Sequence, residues 1–264
     1  MMAMQNDDAV LLRSDSDSVA TLTLNRPTQF NALSDELLDA LQVALEAVAT
    51  EKSIRVVVIA GAGKAFCAGH DLKEMRGNPS KDYMQRLFKK CGKLMTTITQ
   101  IPQPVIARVH GVATAAGCQL VAMCDLAVAA ENAKFAVSGI NVGLFCSTPA
   151  VALTRAMSRK AAMEMLLTGE FISALEAEKR GLINRAVAAD ALDAEIARLV
   201  AAVCAKSSLA VGMGKQLFYR QIEMGIEGAY QLASETMACN MMSEDAANGI
   251  DAFMNKQKAT WVGR

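Results

Sequence analysis

Three short apolar runs alternate with segments of helical periodicity, and this alternation limits the possible folds more than any other feature. Residues 55–61 and 104–111 are almost continuously apolar, and Leu126–Ala130 repeats the pattern. Such runs are typical of central strands that are buried on both faces of a parallel sheet. Lys81–Gln100 forms an amphipathic helical segment between the first two runs. The order therefore predicts βαβ units, with helices packed on a parallel sheet.

A hairpin and a capped helix are predicted before the first of these runs. Residues 10–13 and Val19–Leu24 read as strands, and residues 15–18 between them have the composition of a turn. Ser34 is a good N-cap for a helix that runs to about Thr50, because the acids that follow Ser34 favour the positive end of the helix dipole.

The pattern changes after about residue 190. Only helical segments follow, over residues 191–205, 209–224, 226–243 and 244–259. No linker rich in Pro, Gly or Ser separates the two parts. The sequence therefore predicts an α/β core over residues 1–190 and a helical C-terminal extension over residues 191–264.

The composition disfavours several classes of function. The chain has 264 residues, 52% of them hydrophobic, which is enough for a large core. Its formal net charge is zero and it has no block of Lys and Arg, so its charge does not support nucleic-acid binding. No apolar run approaches the ~20 residues that span a bilayer. The acidic N-terminus lacks the apolar segment of a secretory signal. We expect a cytoplasmic protein, with a processed organellar form as the alternative.

The spacing of the cysteines and glycines does not support a metal or nucleotide site. The seven cysteines include no Cys-x-x-Cys pair, so we expect buried free thiols, with neither a disulfide framework nor a metal site. The segment 59–65 is not a phosphate loop, because Ala65 stands where a Ser or Thr would contact magnesium. It is not a dinucleotide fingerprint either, because Phe66 replaces a glycine. Cys67 or Cys146 as a nucleophile would need a nearby histidine.

A series of motifs spans nearly the whole chain. They lie at residues 25–33, 64–75, 111–125, 131–135, 167–174, 181–183 and 244–256. In this order they resemble the crotonase (enoyl-CoA hydratase/isomerase) superfamily. Residues 115–119 and 139–149 are similar to one subgroup, the enoyl-CoA hydratase domain-containing protein 3 type. The resemblance implies a crotonase-like ββα spiral core and a C-terminal trimerisation or lid region. It also implies assembly as a homotrimer or a dimer of trimers, and a place in fatty acid metabolism.

The resemblance also assigns roles to particular positions. Enzymes of this family place negative charge on a thioester carbonyl oxygen, which two backbone N–H groups receive as an oxyanion hole. By motif position these are the amides of His70 and Ala116. Coenzyme A enters as part of the substrate and no other cofactor is implied. Its binding positions would be Lys64 and Ala68 in the loop around the pantetheine, Lys73 near the phosphates, and Phe253 and Lys256 near the adenine, usually of a neighbouring subunit.

The chain departs from the family where the hydratases carry their two glutamates. Gln119 and Gly139 occupy these positions. General acid–base catalysis contributes roughly 10²–10⁴-fold per group, so efficient hydration, the lyase reaction of the family, is not expected. We expect an acyl-CoA-binding member with an intact oxyanion hole. The alternatives are other thioester chemistry (isomerisation, hydrolysis or decarboxylation) that uses His70 or water, or a non-catalytic acyl-CoA binder.

Further side chains are candidates for supporting roles. We expect Asp71 to hold the loop after His70 through hydrogen bonds to the backbone. Several polar residues are expected near the missing second glutamate, namely Asn141, Ser147 and Thr148. Four apolar residues are candidates for an acyl pocket, although packing in the core explains them equally well: Met84, Leu87, Met95 and Phe145.

Overall fold

The computed structural model describes residues 9–264, which form two sheets surrounded by helices. The larger sheet has the strand order β1 (Leu11–Ser16), β2 (Val19–Leu24), β3 (Val56–Gly61), β5 (Val105–Val109), β7 (Leu126–Ala130) and β10 (Arg185–Val187). Only β1 and β2 pair antiparallel, and the other pairs are parallel. The smaller sheet orders β4 (Ala65–Cys67), β6 (Val112–Thr114), β8 (Lys134–Ala136) and β9 (Ile172–Ser173). The predicted parallel strands are confirmed.

The chain passes repeatedly from the large sheet to the small sheet and then through helices. After α1 (Asp35–Thr50), β3 and β4 lead to α2 (Leu72–Gly77) and α3 (Lys81–Gln100). β5 and β6 lead to α4 (Ala116–Met123), and β7 and β8 lead to α5 (Ser147–Ala156) and α6 (Arg159–Thr168). A short α7 (Ala174–Lys179) precedes β10. This is the predicted ββα spiral, and each turn delivers one loop to the same end of the small sheet.

Four helices complete the chain. They are α8 (Leu192–Cys204), α9 (Ser208–Gln221), α10 (Ile226–Met241) and α11 (Glu244–Met254). α8 covers one face of the large sheet, where Leu192 and Ile196 pack against Val56, Val58 and Ile106. The opposite face packs on α1 and α3, which together supply much of the main core. The extended apolar runs are therefore buried on both faces, as their composition predicts.

Several predicted boundaries differ from the structure. β1 extends to Ser16, and the turn consists of Asp17 and Ser18, both with positive φ. α4 begins at Ala116, because Thr114 still pairs with Ala136 in the small sheet. α9 and α10 end at Gln221 and Met241, before the predicted residues 224 and 243.

The largest difference is at the last helix, which ends at Met254 instead of residue 259. Lys256 adopts a left-handed conformation with φ 55°, which stops the helix. The tail that follows returns to the start of α11, where the Asp245 carboxylate accepts hydrogen bonds from the backbone of Val262 (2.6 Å) and Gly263 (3.1 and 3.2 Å). The contacts between the tail and Asp245 thus stabilise a chain that leaves the helix after Met254, although the local sequence pattern is compatible with a longer helix.

The cysteines confirm the expectation of free thiols in part. Five are buried, but Cys204 is partly exposed and Cys239 is exposed, because both lie on the C-terminal helices. Within residues 9–264, no group of three or more His, Cys, Asp or Glu side chains is arranged to hold a metal ion.

No single helix of the described chain is long and apolar enough to cross a membrane. One pair, bent by 103°, meets the length and composition criteria only when its two helices are taken together.

A buried polar network joins α9 to the core. The Lys215 ammonium contacts the Asp125 carboxylate at 2.6 Å, and it donates hydrogen bonds to the carbonyls of Ile98 (2.7 Å) and Gln103 (2.8 Å). Tyr219 donates to the other Asp125 oxygen at 2.9 Å, and the backbone N–H of Val105 also donates to this carboxylate. Every charged atom of the network thus has a partner, which is the arrangement that makes a buried ion pair tolerable.

Candidate functional site

A cavity of about 390 Å³ lies where three strands of the small sheet end. Ala68 and His70 follow β4, Ala115 and Ala116 follow β6, and Ser138 and Gly139 follow β8, and all of them line it. The remaining wall is mostly apolar and comes from α2, α3, the segment before α5 and the first turn of α5. Its residues are Leu72, Met75, Phe88, Val142, Leu144, Phe145, Cys146, Ser147, Thr148 and Pro149. The spiral therefore brings three separate loops to one concave site, the usual form of a ligand pocket.

Two backbone amides on this wall have no acceptor within the described chain. Leu33 bonds to the backbone on either side of His70, since its N–H donates to the Gly69 carbonyl and its carbonyl accepts from Asp71. Because amides alternate in direction along an extended chain, the N–H of His70 points the other way. Ala116 is the first residue of α4, so its N–H has no acceptor inside the helix. Two adjacent strand-ending loops thus present free donors at one cavity.

The loop that presents Ala116 has a strained backbone. Ala115 has φ 51° and ψ −120°, which an alanine rarely adopts and which costs about 1–3 kcal/mol. Gly69 lies against this loop so closely that a Cβ there would stand 2.8 Å from the Ala115 Cβ and 3.3 Å from the Ala116 nitrogen. The two loops that carry the free amides are therefore packed directly against each other.

The His70 side chain lies inside the cavity as a neutral ring. Burial lowers the pKa of His70 to about 4, and the nearby Leu33 backbone raises this pKa by a smaller amount. The ring meets Phe88 edge to face, with centroids 5.5 Å apart. Neither ring nitrogen has a hydrogen-bond partner among residues 9–264. At neutral pH the ring is uncharged and can donate one hydrogen bond and accept one.

The burial of His70 should be visible in the pH dependence of stability. Its folded pKa of about 4 is below the ordinary 6.5, so protonation favours the unfolded chain. The stability that neutral His70 contributes is present above pH 6.5 and is lost as the pH falls towards 4. We expect the free energy of unfolding to fall over this window less steeply for His70→Gln than for the natural protein, as measured by urea titration. Equal slopes would show that the ring is solvated. Burial also lowers the pKa of His110, but His110 is present in both proteins and so contributes to both slopes.

The predicted role of Asp71 is confirmed. Its carboxylate accepts hydrogen bonds from the backbone of Lys73 (3.0 Å) and Glu74 (3.2 Å) and so caps α2. It also forms an ion pair with Arg26 at 2.9 Å. Burial raises the pKa of Asp71. The hydrogen bonds from Arg26 and from the backbone, together with the Arg26 charge, lower this pKa by more, so the pKa is lowered overall. Asp71 thus holds the loop that contains His70.

Gly139 lines the cavity, whereas Gln119 lies on α4 and is not among the residues that line it. Gln119 is 97% buried one turn after Ala115, and its Oε1 has no hydrogen-bond partner in the described part of the chain. Gly139 lines the cavity, but a Cβ at this position would lie 2.7 Å from both the Cys146 Sγ and the Leu144 carbonyl oxygen. The space beside Gly139 is therefore closed to any side chain unless the segment around Leu144 moves.

Comparisons with known proteins decide the family. Residues 14–264 match the family described as enoyl-CoA hydratase/isomerase. The mitochondrial enoyl-CoA hydratase domain-containing protein 3 of Xenopus laevis is 45% identical over 92% of this chain and 83% of that protein. This chain belongs to the enoyl-CoA hydratase/isomerase, or crotonase, family. The human protein of the same name is 44% identical over 93% of this chain and 81% of that protein.

Solved structures of the family confirm the predicted crotonase-like fold. A crystal structure of an enoyl-CoA hydratase from Mycobacterium smegmatis superposes with a TM-score of 0.94 at 60% identity, covering 96% of this chain and 98% of that one. The human enoyl-CoA hydratase domain-containing protein 3 gives a TM-score of 0.93 at 42% identity over 96% and 100% of the two chains. The resemblance to that subgroup is therefore also confirmed.

The crotonase cavity of this chain has no charged lining. Ser147, Thr148 and Phe145 line it as predicted. Asn141 does not, because its amide donates to the Gly169 carbonyl instead. Two predicted acyl-pocket residues are core residues, since Leu87 and Met95 face inward from α3. The apolar residues that do line it, such as Phe88 and Leu144, were not predicted, although Phe88 lies one turn from Met84 on α3 and a helical wheel would have found it.

The predicted coenzyme A positions are only partly gathered around the cavity. Ala68 lines it. Lys64 is exposed just before β4, at the other end of the strand from Ala68, and Lys73 is exposed at the start of α2. Phe253 is 85% exposed near the end of α11, and Lys256 is exposed just beyond it. Neither lines the cavity of its own chain. Their roles in binding coenzyme A stay predictions.

Proposed function

We propose that this crotonase-family chain binds acyl-CoA thioesters, with the carbonyl oxygen held by the amides of His70 and Ala116. The observation that carries the proposal is the pair of unpaired N–H groups on adjacent loops of one apolar cavity. Such donors are strongest where water is excluded, and loss of one typically removes about 3 kcal/mol of transition-state stabilisation. With Gln119 and Gly139 in place of carboxylates, the same site is a poor hydratase.

A carbon-13 NMR experiment tests the proposal through the polarisation of the carbonyl. Butyryl-CoA labelled at the thioester carbon should bind and shift downfield, because two donors draw electron density from the oxygen. Ala116→Pro removes one N–H at a first helical position, where proline is tolerated best. This variant should lose most of the shift. Ala116→Gly keeps the N–H and serves as the control. No binding by the natural protein, or a shift unchanged in Ala116→Pro, would contradict the proposal.

Decarboxylation is the second candidate, and the charge-free lining favours it. A 2-carboxyacyl thioester brings its own carboxylate, which the family's glutamates would repel. Cleavage of the bond between C2 and the carboxylate releases carbon dioxide and leaves the electron pair as a thioester enolate, whose oxygen the two amides hold. Water then protonates C2. Carbon dioxide release from methylmalonyl-CoA tests this route. Absence of turnover across a thioester panel would instead indicate a binder without catalysis.

The C-terminal helices supply an apolar surface for self-assembly. Exposed residues on α10, on α11 and in the turn between them include Ile226 (75%), Tyr230 (70%), Met242 (86%) and Phe253 (85%). An exposed apolar surface of this kind marks an interaction site, and it supports the predicted trimer or dimer of trimers. The names of the vertebrate relatives assign those proteins to mitochondria, which supports the organellar alternative. The cytoplasmic location stays a prediction.

A further inference from the structure

A pair of hydroxyl groups joins the loops that follow β6 and β8. The Thr114 Oγ1 and the Ser138 Oγ are 2.8 Å apart, which is the usual distance of a hydrogen bond between hydroxyl groups. The backbone holds the same two strand ends together, since Thr114 lies opposite Ala136 in the small sheet and the Ala115 N–H donates to the Ala136 carbonyl at 3.0 Å. Ser138 is therefore fixed beside the loop that presents Ala116.

This pair leaves a hydroxyl proton without an acceptor. Each hydroxyl carries one proton, and the contact between the two uses only one of them. Within the part of the chain that the structure describes, neither Thr114 nor Ser138 makes a second side-chain hydrogen bond. Of the two residues, only Ser138 lines the candidate cavity. A ligand oxygen in the cavity can therefore accept from Ser138 while Thr114 donates to the Ser138 oxygen, and hydrogen bonds in such a chain strengthen each other.

The order of the strands places Ser138 beside Ala116 and away from His70. The small sheet has the order β4, β6, β8, and the loops after these strands carry His70, Ala116 and Ser138 in the same order. Neighbouring strands lie about 5 Å apart. A thioester oxygen held between the amides of His70 and Ala116 would lie on one side of Ala116, with the Ser138 hydroxyl on the other side. An oxygen that reaches Ser138 must therefore belong to the acyl group close to the thioester carbon.

We propose that Ser138, held by Thr114, donates a hydrogen bond to a second oxygen of the acyl group, so that the site prefers thioesters with a carbonyl or carboxyl group on C2. This inference rests on the proposed binding of acyl-CoA thioesters by the amides of His70 and Ala116. The carbon of such a group is separated from the thioester carbon only by C2, which keeps both oxygens within about one strand spacing. Thioesters of the 3-oxoacyl and malonyl types share this arrangement, and an uncharged hydroxyl can donate to either.

Calorimetric titration with butyryl-, acetoacetyl- and malonyl-CoA tests the inference. We expect acetoacetyl-CoA or malonyl-CoA to bind about 5–10-fold more tightly than butyryl-CoA, the gain that one hydrogen bond typically gives. The ester that gains shows whether the second oxygen belongs to a ketone or to a carboxylate. Malonyl-CoA is quantified after the titration, so that decarboxylation is not counted as binding. Equal binding of all three esters would overturn the inference and leave the proposed function standing. Failure of every ester to bind would overturn the proposed function itself.

Variants of the pair assign the gain to Ser138. In Ser138→Ala the ratio of the two dissociation constants should approach one, and a lower fraction of folded protein does not change this ratio. Thr114→Val removes only the donor to Ser138 and should reduce the gain to about twofold, the lower end of what a hydrogen bond contributes. Thr114→Ser should restore the gain. Thr154→Val, at an exposed position on α5, is the matched control and should keep the full gain. A gain that survives in Ser138→Ala would overturn the inference and assign the second oxygen to another hydroxyl of the wall, such as Ser147.

Discussion

Replacement of Lys215 by methionine is expected to lower the free energy of unfolding by about 3–5 kcal/mol. The change removes the ammonium that Asp125 and the carbonyls of Ile98 and Gln103 share, and it leaves a carboxylate and two oxygens buried with fewer partners. Because Lys215 is 92% buried, water replaces the lost donor only in part. Denaturant unfolding of the natural and variant proteins measures the difference.

Two further variants separate this loss from an effect of charge or of methionine itself. Lys160→Met, at an exposed position on α6, should change the free energy of unfolding by less than about 0.5 kcal/mol. The double variant Lys215→Met/Asp125→Asn should lose less than the sum of the two single losses, because both act on one network. A loss below about 1 kcal/mol for Lys215→Met would mean that α9 is held mainly by apolar packing.

The second large effect concerns hydration. We expect the natural protein to leave the conjugated absorbance of crotonyl-CoA unchanged even at high protein concentration. Gln119→Glu should make the absorbance fall measurably, about 10²-fold faster than in the absence of protein, which is the lower end of what one acid–base group contributes. The new carboxyl would lie almost fully buried, which raises its pKa towards the range where it can transfer protons near neutral pH. Gln119→Met is the control without a carboxyl group and should stay inactive.

We do not expect Gly139→Glu to restore hydratase activity. Its Cβ would stand 2.7 Å from the Leu144 carbonyl oxygen, a backbone atom that moves only with its segment. We therefore expect the Gln119→Glu/Gly139→Glu protein to be less stable than Gln119→Glu and no more active. Robust hydration by the natural protein would contradict the whole account of the missing glutamates, and His70 would then be the first residue to replace.

Local patterns predicted much of this structure. α3 spans Lys81–Gln100 as its periodicity indicates, and α1 begins after Ser34, whose hydroxyl accepts the hydrogen bond from the Leu37 N–H. These features depend on residues within about one helical turn of each other, so the sequence carries them directly. The order of motifs likewise identified the family. The roles that it assigns to His70, Ala116, Gln119 and Gly139 stay predictions.

Other features depend on contacts between distant parts of the chain. Helix α11 ends at Met254 and the tail returns to Asp245, although the pattern of residues 255–259 is compatible with helix. Leu87 and Met95 face the core whereas Phe88 faces the cavity, and only the packing of α3 on the sheet decides which side is which.

The sequence by itself determined the strand–helix order, the Ser34 cap and the family, and it placed Gln119 and Gly139 where the resemblance leads us to expect hydratase carboxylates. The tertiary structure alone decided that Lys215 pairs with Asp125, that the space beside Gly139 is closed, that His70 is neutral and that Thr114 and Ser138 share a hydrogen bond. The physical reason is distance along the chain. Periodicity and capping act between near neighbours, whereas burial, pKa shifts and cavities are set by groups that only the folded chain brings together.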